Sequence, residues 1–218
     1  PDFDFLASGY EDHPDAVESS MQDWNGRRVS NILFWHLYPI LACRKYLYPH
    51  PERILEIGGG CGDQARLWKL ILPNVQWVDL DLPESLFYAE VFLRRNFPDV
   101  VFTYITAERQ LYDGPEPYTM ADFVFCPVQL ANTAKVCHYD IAINQGSLQE
   151  MPHGTVDWWL RFLESADVDS FYSLNYHVTP LDRTENWELV RKAEDPLVIT
   201  MDSGVNLEQA WRVKRAYA

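Results

Sequence analysis

The stretch from Arg53 to Glu84 limits what this chain can fold into more than any other. Arg53 to Ile57 is a short apolar run that enters Gly58-Gly59-Gly60-Cys61-Gly62, and Asp63 to Leu72 follows with helical spacing before Pro73-Asn74 turns the chain. Val75 to Leu80 is a second apolar run, Glu84 to Asn96 a second helical stretch, and Phe97-Pro98-Asp99 the next break. Strand, glycine loop, helix, strand, helix is the grammar of a parallel sheet with helices on both faces, because parallel neighbours need a crossover. Glycines at 58, 60 and 62 let the backbone turn sharply and approach a ligand without Cβ interference. The helix that follows presents its positive end to an anionic group.

The rest of the chain fits around this unit. Residues 1–26 are acidic, broken by Gly9, Pro14 and Gly26, and read as an irregular arm. Val29, Ile32, Leu33, Leu37, Ile40 and Leu41 recur at helical spacing, which predicts a leading helix over 27–48, ended by Pro49 and Pro51. Apolar runs at 100–106, 122–128, 139–144, 170–176, 197–201 and 210–215 are candidate strands, with a helix at about 155–166 between them. The count fits a seven-stranded sheet with one spare. We take 122–126 as the third parallel strand, 100–106 as an added hairpin, and the runs flanking Asp202-Ser203-Gly204 as an antiparallel pair at the sheet edge. At 218 residues the chain is read as one α/β domain, its core spanning 53–218.

Composition narrows the chemistry. A net charge of −14 repels phosphate backbones, and the Lys and Arg residues form no basic stripe, so nucleic acid is not the expected partner. The most apolar stretch, Ile32 to Cys43, is interrupted by His36 and Pro39 and is shorter than the roughly 20 residues of a membrane span. No basic, apolar signal segment opens the sequence, which fits a cytoplasmic protein. The four cysteines contain no C-x-x-C pair and read as free thiols, and the histidines and acids show no metal-binding spacing, so no metal is expected.

The glycine loop discriminates between nucleotide ligands. A dinucleotide fingerprint G-x-G-x-x-G requires glycine at 63, where Asp63 would repel a pyrophosphate, so a nicotinamide-dependent oxidoreductase is the disfavoured alternative. The amino-acid end of S-adenosylmethionine carries both charges, and suits Glu56 near its ammonium and glycine amides near its carboxylate. Asp81, 23 residues after Gly58, stands where a carboxylate accepts both ribose hydroxyls. Asp79 is the rival by position. Pro83 favours Asp81, because it starts the next helix and holds the preceding residues extended. The competing reading is that Asp81 caps that helix.

Three elements together resemble a known family: Glu56 to Gly62, Asp81-Leu82-Pro83-Glu84-Ser85, and Asn144-Gln145-Gly146-Ser147-Leu148-Gln149-Glu150-Met151. They look like the sugar O-methyltransferases, a family of class I S-adenosylmethionine-dependent methyltransferases with a Rossmann-like fold, over about residues 30–180. The resemblance implies that Gly58, Gly60, Gly62 and Asp81 bind S-adenosylmethionine. It sets Leu82 beside Asp81, and Gln129, in the Pro127 to Leu130 stretch, at the adenine. It implies a sugar or glycosylated small molecule as acceptor. The Asn144 to Met151 segment follows an apolar run and should emerge at the carboxyl edge of the sheet, where ligands bind. Glu150 and His153 are the candidate general bases there, with His177 a further candidate. Asn144, Ser147, Asn175 and His177 are candidate substrate contacts. Trp24, Trp158 and Trp159 offer stacking surfaces, Trp159 reading better as core. A cofactor-binding domain without turnover is the remaining alternative.

Overall fold

The computed structural model describes residues 21–24, 26–106, 120–176, 186–194 and 206–214. It opens with a hairpin: β1 (Met21–Trp24) pairs antiparallel with β2 (Arg27–Ser30), with Gly26 at φ 79° in the turn between them. This corrects the expectation of an arm to residue 26 and a helix from 27. The helix, α1 (Asn31–Tyr46), begins only after Ser30, whose extended backbone and Oγ, accepting the Leu33 N–H at 3.1 Å, form its N-cap. Asn25-Gly26 is a hairpin signal that the helical spacing of Val29 and Ile32 had masked.

The α/β core follows the expected alternation: β3 (Arg53–Ile57), α2 (Asp63–Ile71), β4 (Gln76–Asp81) and α3 (Pro83–Asn96), the last with its Pro at the first helical position. Then come β5 (Phe102–Tyr104), β6 (Phe123–Pro127), a 3₁₀ segment (Val128–Val136), β7 (His138–Tyr139), β8 (Ile141–Gln145) and a short 3₁₀ turn (Leu148–Glu150). α4 (His153–Ser165), β9 (Asp167–Val168), β10 (Ser170–Tyr176), β11 (Trp187–Glu194) and β12 (Asn206–Val213) complete the order.

The main sheet has eight strands in the order β11-β12-β10-β8-β3-β4-β6-β5, rather than seven. From β10 to β5 all neighbours are parallel, whereas β12 runs antiparallel to both β10 and β11. The spare strand is β5, which lies parallel to β6 at the edge; the hairpin expected over 100–106 is therefore corrected. The run 197–201 lies outside the described residues. Its place as the partner of β12 is filled by β11, a charged edge strand whose side chains are largely exposed.

Two apolar layers cover the sheet. On one face Leu33, Leu37 and Ile40 of α1, Trp68 of α2 and Leu93 of α3 pack on Ile54, Trp77, Phe123 and Ile143. On the other, Trp159, Phe162 and Leu163 of α4 pack on Leu55, Val78, Val124 and Phe171. Strands buried on both faces explain the near-continuous apolar runs. Chain order runs outward from β3 toward β4 in one direction and returns through β8 to β10 in the other, so a crevice opens between the carboxyl ends of β3 and β8. Among the described residues no helix is long and apolar enough to cross a membrane.

Candidate active site

The loop after β3 is built on backbone that only glycine adopts without strain. Gly58, Gly60 and Gly62 have φ of 77°, 57° and 87°. Gly58 N–H donates to Leu80 O at 2.8 Å, tying the loop to β4. A Cβ at Gly58 would lie 2.2 Å from Ser147 Oγ, and one at Gly59 would lie 2.6 Å from the Asp79 carboxylate. The loop is thus gripped from β8 on one side and from β4 on the other. Gly62 is buried at the N-terminus of α2, against Leu93 of α3.

β4 delivers two acids to different places. Asp79 is buried beneath the loop, its Oδ1 accepting the Gly59 N–H at 3.3 Å. Burial, and then the charge of Asp81, push its carboxyl well above the usual carboxylate range. Asp81, two residues further along the strand, reaches the open crevice. Its Oδ2 accepts the Gly60 N–H at 2.8 Å and its Oδ1 the Leu82 N–H at 2.6 Å. The N-cap of α3 is Leu82, with no side-chain capping bond, so Asp81 is not the helix cap. Glu56 faces the same buried layer as Asp79: it is 2% exposed, its Oε2 accepts from Trp77 Nε1–H at 3.1 Å, and burial followed by Asp79 raises its carboxyl. It does not border the cavity.

A cavity of about 740 Å³ occupies the crevice, within the size range of small-molecule sites. Gly58, Gly60, Asp81 and Leu82 border it from the β3 and β4 side, and Val128 and Gln129 from the 3₁₀ segment after β6. Gln145, Gly146 and Ser147 border it from the end of β8, and Glu150, Met151, Thr155 and the two tryptophans Trp158 and Trp159 close the far wall. Of the candidate residues, Gly58, Gly60, Asp81, Leu82, Gln129, Ser147 and Glu150 therefore meet at one site. Glu56 and Gly62 stand behind it. His153, the exposed first residue of α4, is not among the lining residues, and His177 lies outside the described residues.

Asn144 and Asn175 do not border the cavity. Both are 0% exposed. Asn144 Nδ2–H donates to Ile57 O at 2.7 Å and to Ser147 Oγ at 2.5 Å, while Asn175 Nδ2–H donates to Asn144 Oδ1 at 2.8 Å. Gln149 N–H donates to Asn175 Oδ1 at 3.3 Å, and Ser147 Oγ–H to Ile57 O at 3.0 Å. These amides tie β3, β8, β10 and the Ser147 loop together. Their side-chain hydrogen bonds are made within the protein.

The sequence reading missed Gln145 and its neighbours. Gln145 Oε1 accepts from Gln64 Nε2–H at 2.5 Å and lies 3.1 Å from His36 Nδ1, and its Nε2–H donates to Trp35 O at 2.8 Å. Burial lowers the His36 imidazole, against the pull of Asp63 and Gln145. The available signal was position: Gln145 ends a strand whose Asn144 had already been singled out, and strand alternation turns it toward α1. A His–Asp cluster, His138, Asp140 and Asp169, lies at the opposite, amino-terminal end of the strands, where Asp140 Oδ2 also accepts the Glu52 and Arg53 N–H groups at 2.7 and 2.9 Å.

No family model and no curated protein matches the chain. Solved structures do. The methyltransferase domain of a bacterial CtHen1 is 12% identical, with a TM-score of 0.56 over 84% of this chain and 100% of that one. Magnesium protoporphyrin IX methyltransferase of Synechocystis PCC 6803, solved with S-adenosylmethionine bound, is 12% identical at TM-score 0.51, covering 81% of this chain and 76% of that one. The chain has a methyltransferase fold. PH1948 of Pyrococcus horikoshii, named as a candidate RNA methyltransferase, extends the likeness over 98% of this chain and 95% of its own, at 9% identity and TM-score 0.53. None of the three carries a sugar in its name.

Proposed function

We propose that this chain is an S-adenosylmethionine-dependent methyltransferase acting on a hydroxyl of a sugar or glycosylated small molecule. The observation that carries the reading is the meeting of the glycine loop and Asp81 on one cavity at the switch point of the sheet. The residues present fit the cofactor: the cradle at Gly58 and Gly59 has no room for a Cβ, the amino end of α2 lies behind it, and a carboxylate stands at the tip of β4. Gly58 and Gly60 would hold the amino-acid end, Asp81 the ribose hydroxyls, and Leu82, Val128 and Gln129 the adenine. When bound, S-adenosylmethionine supplies an electrophilic methyl group on a sulfonium.

Glu150 stands on the acceptor side of the cavity, and takes the role of general base there. It accepts a hydrogen bond from the acceptor hydroxyl and takes its proton as the oxygen is methylated. The remaining contribution of the chain is positioning, in which the far wall holds the acceptor oxygen in line for displacement. The sugar itself is supported by the resemblance of the Asn144 to Met151 segment, which builds the loop carrying Ser147 and Glu150.

Calorimetry with S-adenosylhomocysteine and NAD tests the cofactor, and methyl transfer to a panel of glycosides tests the acceptor. Binding of S-adenosylhomocysteine and methylation of a glycoside are expected. NAD binding without S-adenosylhomocysteine binding overturns the methyltransferase reading, and transfer to RNA with no transfer to any glycoside replaces the acceptor.

A further inference from the structure

The far wall of the cavity has a charge pattern that bears on the form in which the sugar arrives. Among the described residues Asp81 and Glu150 are the ionisable side chains bordering the cavity, and no Lys, Arg or His borders it. S-adenosylmethionine brings one net positive charge, its carboxylate and ammonium cancelling. With the cofactor in place, the two carboxylates still leave an excess negative charge. Sites that hold phosphates do so with Arg or Lys forks, or with unobstructed helix N-termini. The N-terminus of α4 does approach this wall, through Thr155. Its partial charge of about one half is outweighed by the full charge of Glu150 just ahead of it in the chain.

The same wall carries a fixed aromatic plate. Trp158 is 38% exposed and borders the cavity. Its ring stacks on Phe162, with centroids 5.7 Å apart and planes 22° apart, and meets Trp159 edge-on at 4.8 Å. Thr155, Trp158 and Trp159, at i, i+3 and i+4, share one face of α4. A plate held on two sides, a carboxylate and, among the described residues, no bordering cation suit the apolar face and hydroxyl edge of a neutral sugar ring.

We propose that the acceptor is an uncharged glycoside whose ring stacks on Trp158, and that sugar phosphates and nucleotide-linked sugars are rejected. Methylation therefore follows the loss of the phosphate: the reaction that supplies this substrate is a glycosyl transfer, which displaces the nucleotide, or a phosphate hydrolysis. The inference rests on the methyltransferase reading of the same cavity.

The test uses the full chain saturated with S-adenosylhomocysteine and ligand-observed NMR. The probes are methyl hexosides (glucoside, galactoside, mannoside and rhamnoside), the corresponding sugar 1-phosphates and the uridine diphosphate sugars. Neutral hexosides are expected to bind and to lose roughly five- to tenfold in affinity in Trp158→Ala, with Trp158→Phe retaining most of it and S-adenosylhomocysteine binding unchanged in both. The phosphorylated forms are expected to bind at least about tenfold more weakly than the hexosides, a gap that narrows in Glu150→Gln. Phosphorylated sugars binding as well as hexosides, or no Trp158-dependent binding by any hexoside, overturns the proposal. Failure of S-adenosylhomocysteine to bind at all removes instead the reading on which it rests.

Discussion

Asp81 has more claims on its carboxylate than a loop brace needs. Two carboxylate oxygens offer about four acceptor positions. The Gly60 and Leu82 N–H groups take one on each oxygen, leaving one on each toward the cavity. Two vicinal ribose hydroxyls match that remainder. Hydrogen bonds to a charged acceptor contribute roughly 1.5–3 kcal/mol each. Asp81→Ala should therefore weaken S-adenosylhomocysteine binding by at least about tenfold in calorimetry, whereas Glu150→Gln should leave that affinity unchanged and lower kcat. An unchanged dissociation constant in Asp81→Ala would remove the ribose assignment. Gly58→Ala makes the complementary case. A Cβ there meets Ser147 Oγ at 2.2 Å at a φ of 77°, so both the clash and the backbone strain act on the loop. Cofactor binding should be lost, and the double variant with Ser147→Gly should recover only the part due to the clash.

At the level of elements, the sheet edge depends on one buried acid that no pattern announced. Glu208 of β12 is 0% exposed; Tyr38 of α1 and Tyr172 of β10 donate to it at 3.0 and 3.2 Å, and Arg191 Nε–H of β11 at 3.1 Å. It joins the antiparallel pair to α1. Tyr38→Phe removes one of these bonds and should cost about 1 kcal/mol. Glu208→Ala strands Arg191 and two hydroxyls and should cost roughly 3 kcal/mol or more, a fall in Tm on the order of 10 °C for a domain of this size. Equal effects in the two variants would mean that the ion pair with Arg191 adds nothing. The same edge shows where the sequence is legible and where it is not. β3, β4, β6, β8 and β10 lie between two apolar layers, so their residues read as apolar runs and were found. Trp187 to Glu194 alternates little and carries four charges, as an edge strand must to discourage pairing with another chain, and it was passed over. At the site, Gly58 and Asp81 were legible because special backbone conformation and strand-end position leave few substitutes. The burial of Asn144 and Asn175 was not legible, because an amide suits a ligand and a loop tie equally well in sequence.

For the whole molecule, acidity enters in two ways that pH and salt can separate. One is diffuse: the −14 net charge repels itself more strongly as pH rises, and added salt screens it over about 10 Å or less. The other is local, in Glu56 and Asp79, paired in register on β3 and β4 and both pushed well above the usual carboxylate range, by burial first. Among the described residues Asp79 Oδ2 has no hydrogen-bonding partner, so ionising it leaves a buried negative charge half supported. The folded state holds these protons more tightly than the unfolded chain does. The stability they contribute is fully present below the ordinary carboxylate pKa of about 4, and drains away as pH rises through the raised folded values. Salt relieves the diffuse repulsion and leaves the buried pair untouched. Tm should therefore fall between pH 6 and pH 8.5 even in about 0.5 M salt, where the Debye length is only a few Å. Asp79→Asn keeps an oxygen for the Gly59 N–H and removes an ionisation, so its Tm should fall less over the same range and exceed wild type at pH 8.5. If salt alone flattened the wild-type curve, or if Asp79→Asn followed the wild-type slope, the surface charge would account for the whole dependence and the pair beneath the glycine loop for none of it.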